Sequence, residues 1–186
     1  MERSNYFRIK RLRLFGVPIV LHWSVFLVVG ICFLMAFEAP ISALSAVLSY
    51  FGLILLHECG HAIVARHYGC RIHEIRLSII HGVCVHTAPY EEFDDAVIAW
   101  GGVIAQLIVA IPILFLALVP NTDKVPGLDP VIAILGYYSA IVAIFNLTPA
   151  HPLDGHKAWR ILPLLWKRYR RRSAPKPKAK KLRVVK

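Results

Sequence analysis

The chain has 186 residues, 57% of them apolar, and a mean hydropathy of +0.57. Soluble domains are nearer ~45–50% apolar, and one globule of this size has too little interior to hide the excess. The formal net charge of +11 sits at one end: residues 167–186 carry 11 of the 22 Lys and Arg and no acid, leaving eleven bases against eleven acids elsewhere. A basic nucleic-acid-binding globule, a disordered chain and a disulfide scaffold are thereby excluded, and a neutral, very apolar body with a cationic tail remains.

In chain order, residues 1–17 form a basic N-terminal segment with Arg3, Arg8, Lys10, Arg11 and Arg13. Stretches 14–37, 96–122 and 130–153 then carry no charge, and 39–65 carries only Glu58. Roughly 20 apolar residues cross a ~30 Å hydrocarbon core as a helix. The pattern predicts four spanning helices, at about 18–37, 41–65, 95–119 and 129–147, in an all-α polytopic membrane core covering 18–166. Pro18 and Pro40 suit helix starts, and Pro112 is tolerated as a kink. The first run is too long for a removable signal peptide and lacks a small-residue cleavage site.

Arg66, Arg71 and Arg76 follow the second run, whereas the connection at 38–40 has no base and that at 120–128 only Lys124. The positive-inside rule then predicts cytoplasmic termini and a cytoplasmic 66–94 segment in a multi-pass protein, expected in the cell membrane. Cys32, Cys59, Cys70 and Cys84 are expected as free thiols in or beside a reducing compartment. Between the second and third spans, residues 71–90 alternate and are β-branched around His81-Gly82, which predicts a short cytoplasmic hairpin. Its edge could pair with an extended peptide. Residues 157–169, with Trp159 and Trp166, suit an interfacial helix. The tail 167–186 is expected to be disordered and held to anionic lipid; its bases lack the aromatic interleaving that would point to specific nucleic acid.

The second apolar run contains His57-Glu58-Cys59-Gly60-His61. Two histidines four residues apart project from one helix face and can hold one metal ion, with Glu58 beside them to reach a water. A packed polar contact between helices would use the same residues. The membrane context favours the metal: ionisable groups at mid-bilayer cost ~2.5–3.5 kcal/mol each, whereas structural zinc sites bind with an apparent ~10–16 kcal/mol. A site needs a third ligand. The fourth run ends Asn146-Leu147-Thr148-Pro149-Ala150-His151-Pro152-Leu153-Asp154-Gly155-His156, where the prolines break the helix. Such backbone persists at membrane depth only where it lines a cavity or is buried in protein. Asp154 is the carboxylate available there, and His151 and His156 are rival ligands. Cys59 faces another side of its helix and is expected to pack; His22 and Trp23 are expected at the interface or in packing.

The pair of segments HECGH and NLTPAHPLDG resembles the site-2 protease family of intramembrane zinc metalloproteases, which couples His-Glu-x-x-His with Asn-x-x-Pro-x-x-x-x-Asp-Gly. The resemblance extends to PIVLHWS at 18–24 and covers about 14–160. It implies one zinc ion held by His57, His61 and Asp154, with Glu58 as general base and Asn146 as donor to the oxyanion. The family's third span usually carries Gly-x-x-x-Asn where this chain has Gly102 and Gln106, and its hairpin often has Gly-Gly where this chain has His81-Gly82. These four are candidates for positioning substrate. The implied activity is hydrolysis of peptide bonds in or near transmembrane segments of a membrane-protein substrate. A regulatory protein partner is also implied, because no PDZ or CBS domain is present in the sequence. A metal-ion transporter or channel would use the same ligands, but no repeated halves are visible and Glu58 has no evident task in conduction. A catalytically silent zinc-binding membrane protein is the third reading, although every expected catalytic group is present.

Overall fold

The computed structural model describes residues 5–173; Arg3 and residues 174–186 of the tail lie outside them, whereas 167–173, expected to be disordered with the rest of the tail, continue a helix to Ser173. The first elements are strands. β1 (Tyr6–Leu14) and β2 (Val17–His22) are antiparallel and joined by Phe15 and Gly16, whose φ values of 50° and 81° make a tight two-residue turn. β2 pairs in parallel with β3 (Ile72–Leu77), and β3 is antiparallel to β4 (Gly82–His86), giving the order β1-β2-β3-β4. The molecule is therefore mostly helical with a small mixed sheet, not all-α, and the expected hairpin is half of that sheet.

The first span expected at 18–37 is the main correction. Residues 17–22 are a strand because Ile19, Val20 and Leu21 pair with Ile75, Arg76 and Leu77 of β3. Val17 and Ile19 bury with Ile75 and Leu77 against Leu53 and Ile54 of the following long helix. What remains is α1 (Val25–Met35), whose 11 residues extend only ~16 Å. An uncharged run reads the same for a buried strand plus a short helix as for one long helix. Among the described residues three helices, not four, are long and apolar enough to cross a membrane: α2 (Pro40–His67), α3 (Glu92–Leu116) and α4 (Leu128–Asn146).

Each of the three follows local rules. α2 has Pro40 in its first turn and ends at Tyr68 before Gly69, which adopts φ 76°. α3 opens with Glu92, Asp94 and Asp95, favourable beside the positive end of the helix dipole, and absorbs Pro112 internally. α4 widens to i→i+5 hydrogen bonding over Ile132–Tyr138 before returning to α-geometry at Ser139–Asn146. α2 and α3 cross where Gly60 faces Gly101: a methyl built on Gly101 would stand 2.6 Å from the Gly60 carbonyl oxygen. Small residues at a crossing let two backbones approach closely where lipid supplies no hydrophobic drive.

The turn between β3 and β4 reaches Tyr50, whose hydroxyl donates to the Ile79 carbonyl, while the Ile79 N–H donates to Ser24 Oγ at 3.1 Å. Tyr50 precedes His57 by two helical turns, ~10 Å. The hairpin thus runs back along α2 past His57. The chain ends, within the described residues, in α5 (Gly155–Ala158) and the amphipathic α6 (Ile161–Ser173), at the place expected for an interfacial helix.

Candidate metal centre

His57 and His61 stand one turn apart on α2 with ring centroids 4.6 Å apart, and their Nε2 atoms are separated by 3.0 Å. Asp154 Oδ2 lies 3.0 Å from His57 Nε2 and 3.3 Å from His61 Nε2. Both histidine side chains are 11% exposed and that of Asp154 is 25% exposed. The far side of each ring is also occupied. His61 Nδ1 lies 2.8 Å from the Ile98 carbonyl oxygen, and His57 Nδ1 lies 3.0 Å from Gln106 Oε1. A carbonyl oxygen only accepts, so each Nδ1 carries the proton. In the neutral rings both Nε2 atoms then present lone pairs, to each other and to a carboxylate oxygen.

Three acceptors converging with no donor between them call for a cation. Ligands at ~2.0–2.1 Å from a tetrahedral zinc lie ~3.3 Å from one another, so the observed 3.0–3.3 Å triangle fits such an ion. Two imidazoles and one carboxylate are also a donor set that zinc favours. Among the described residues this is the one group of histidine, cysteine and acidic side chains able to hold a metal.

The bend carrying Asp154 is pinned from two sides. Trp159 Nε1 donates to the Leu147 carbonyl at 2.6 Å, and Trp100 Nε1 of α3 donates to the Ala158 carbonyl at 3.1 Å. Gly155 has no room for a side chain because Leu147 and Thr148 backbone atoms lie against it, so 147–155 closes on itself and turns Asp154 inward. Lys157 adds an ion pair to Asp95 at 3.1 Å.

Glu58 is 4% exposed and borders the same cavity of about 650 Å³ as His57, His61 and Asp154. Gly82, the first residue of β4, lies directly on it: a methyl there would stand 2.6 Å from Glu58 Oε1. Gly102 plays the same part behind the imidazoles, where a methyl would stand 2.7 Å from Cε1 of each ring. His81, Gly82, Gln106 and Asn146 all border the cavity; Gly102 stands behind the rings. Gln106 is fully buried. His151 and His156 are exposed with ring centroids 5.9 Å apart and do not border the cavity. His22 hydrogen-bonds Ser24 and packs on Tyr6, and Cys59 packs against the sheet-facing core. The four cysteines are free.

Residues not anticipated from the sequence include Ile98, which orients His61 through its backbone, and Tyr50 and Tyr138, which border the cavity. Tyr50 was within reach of helical periodicity, since 50, 54, 57 and 61 share a face. Ile98 acts through a main-chain atom and had no side-chain signal.

No family model matches the chain. A zinc metalloprotease of Methanocaldococcus jannaschii is 30% identical over 160 residues, covering 85% of this chain and 46% of that relative. A second relative, from Synechocystis, is 29% identical over 161 residues, covering 76% of this chain and 40% of its own length. The chain thus spans less than half the length of these curated relatives. Among solved structures, the site-2 protease from Methanocaldococcus jannaschii superimposes with a TM-score of 0.64 at 27% identity, covering 88% of this chain and 73% of that one.

Proposed function

The chain belongs to the site-2 protease family of intramembrane zinc metalloproteases, and from that premise we propose that it hydrolyses peptide bonds in or near transmembrane segments of membrane-protein substrates. The observation that carries this reading is the meeting of three acceptor atoms, His57 Nε2, His61 Nε2 and Asp154 Oδ2, beside the buried carboxyl of Glu58. One zinc ion per chain would be held by those three residues. When bound, zinc supplies Lewis acidity toward a carbonyl oxygen and toward an attacking water.

The chain's own residues do the rest. Glu58 accepts the proton of the attacking water on a carboxylate oxygen and then delivers it to the nitrogen of the leaving amine. Asn146, at the end of α4 on the cavity wall, donates from its side-chain amide to the oxygen that gains charge at the carbonyl. Gly82 leaves the room in which Glu58 turns between these two tasks. A helical substrate hides its carbonyls and must unwind first. β4 has no strand on its far side among the described residues, so its backbone can receive the unwound segment as an added strand. Ile75, in the strand behind it, pairs on both sides with Ile19 and Cys84 and belongs to the sheet interior. His81 sits at the turn next to that edge, in reach of a bound peptide.

The protein is a membrane protein by its three apolar helices and its family. We read both termini as cytoplasmic and the membrane as the cell membrane: Arg66, Arg71 and Arg76 mark the side reached by the end of α2, and the pairing of β2 with β3 puts the N-terminal strands at that same end, with α1 returning the chain to the start of α2. In α6, Lys167, Arg168 and Arg170 lie next to exposed Leu162, Leu165 and Trp166, a composition suited to anionic headgroups. A regulatory protein partner remains part of this reading. Purified protein incubated with a transmembrane peptide tests the activity: the wild type cleaves it, and Glu58→Gln retains zinc without cleaving. Zinc-dependent ion flux without proteolysis would replace the protease by a transporter.

A further inference from the structure

The stripe of α3 that faces the histidines is Ile98, Gly102 and Gln106, at i, i+4 and i+8. It runs antiparallel to His57 and His61: Ile98 receives His61, Gly102 makes room for both rings, and Gln106 meets His57. The two ends differ in kind. Ile98 offers a main-chain carbonyl, which any residue would supply. Gln106 offers a side chain, so His57 depends on the identity of that one residue.

Gln106 is 0% exposed, and its Nε2 has no hydrogen-bond partner among the described residues. A leucine would fill the same position between apolar helices without an unsatisfied amide, so packing alone does not account for glutamine there. What the amide does make is one contact, Oε1 to His57 Nδ1 at 3.0 Å. We infer that Gln106 is the positioning residue for His57: its amide oxygen holds the ring in the Nδ1–H form and orients it, so that Nε2 is free to bind the metal. This rests on the metal-centre reading and assigns Gln106 a role behind the ligand in place of the expected contact with substrate. An oxygen behind a ligating imidazole both selects the tautomer and raises the basicity of the ligating nitrogen, and losing one typically lowers metal affinity ~10–100-fold.

The test uses the full chain in detergent and measures zinc affinity by chelator competition, with the visible absorption of the cobalt-loaded protein as a second readout. Gln106→Leu removes the acceptor at constant size and is expected to weaken zinc binding ~10–100-fold and to change the cobalt spectrum. Its metal-free thermal stability is expected to match or exceed wild type, which separates this effect from loss of fold. Gln106→Glu keeps an oxygen at the same reach and restores binding. Gln106→Asn is shorter by one methylene, ~1.5 Å, and fails to restore it. Gln106→Leu binding zinc like wild type overturns the inference. So does tight binding by Gln106→Asn or weak binding by Gln106→Glu, and these two variants decide if Gln106→Leu does not fold. None of these readouts involves proteolysis. A wild type that binds zinc but cleaves nothing ends the protease reading and leaves this one standing; a wild type that binds no zinc ends both.

Discussion

Two pairs of histidines lie in ring contact, His57 with His61 at 4.6 Å between centroids and His151 with His156 at 5.9 Å. The first pair is nearly buried on a transmembrane helix, each Nδ1 has an oxygen behind it, and both Nε2 atoms share Asp154. The second pair is exposed on a bend, and the Arg160 guanidinium lies 3.4 Å from His156 Nε2. A cation is drawn to the first arrangement and repelled from the second. The neighbours fit a histidine to hold a metal: a carboxylate in front and an acceptor behind. Asp154 lies between His151 and His156 in the chain, yet the pinned bend at 147–155 points it away from them and toward α2.

The strongest way to break this comparison is to exchange which pair matters. Asp154→Ala or His57→Ala is expected to remove essentially all zinc from the purified protein, whereas the double variant His151→Ala/His156→Ala keeps it; metal analysis reads both. Next in size, Glu58→Gln is expected to slow cleavage of a transmembrane peptide ~10²–10⁴-fold with zinc retained, which separates holding the ion from using it. Asn146→Ala is expected to lower kcat ~10²–10³-fold with little change in KM, because its bond strengthens only as charge develops on the carbonyl oxygen. Smaller again, Gly102→Ala is expected to weaken zinc binding ~10–100-fold by displacing both rings. Gly82→Ala is expected to leave zinc affinity unchanged while slowing cleavage, since its methyl would press on Glu58 and not on the ligands.

Much of the site is legible in local spacing. A separation of four on a helix brings His57 and His61 to one face without any knowledge of the fold, and Glu58 follows from its place beside the first of them. Asp154 was the obvious carboxylate but had two rivals within three residues, because a proline-broken bend has no periodicity from which to read direction. The extents of α2, α3 and α4 were likewise close to expectation, since a hydrophobic length needs no partner to be recognised. Residues 17–22 were misread because Val17, Ile19, Val20 and Leu21 are as apolar as a membrane helix. Only their pairing with β3, more than fifty residues later, makes them a strand.

The amino-acid order on its own settled what short-range geometry can settle: three of the four expected long apolar helices, two imidazoles on one helix face, a buried acid beside them and a broken helix with an aspartate at its end. Tertiary structure decided which nitrogen of each imidazole is free, which of three candidate groups completes the triangle, and that a four-stranded sheet lies against α2. Those outcomes depend on Ile98, Gln106, Asp154 and β3 meeting α2 across distances in the chain that periodicity does not reach. A tautomer, a third ligand and a strand pairing each require a partner, and the partner is supplied by the fold.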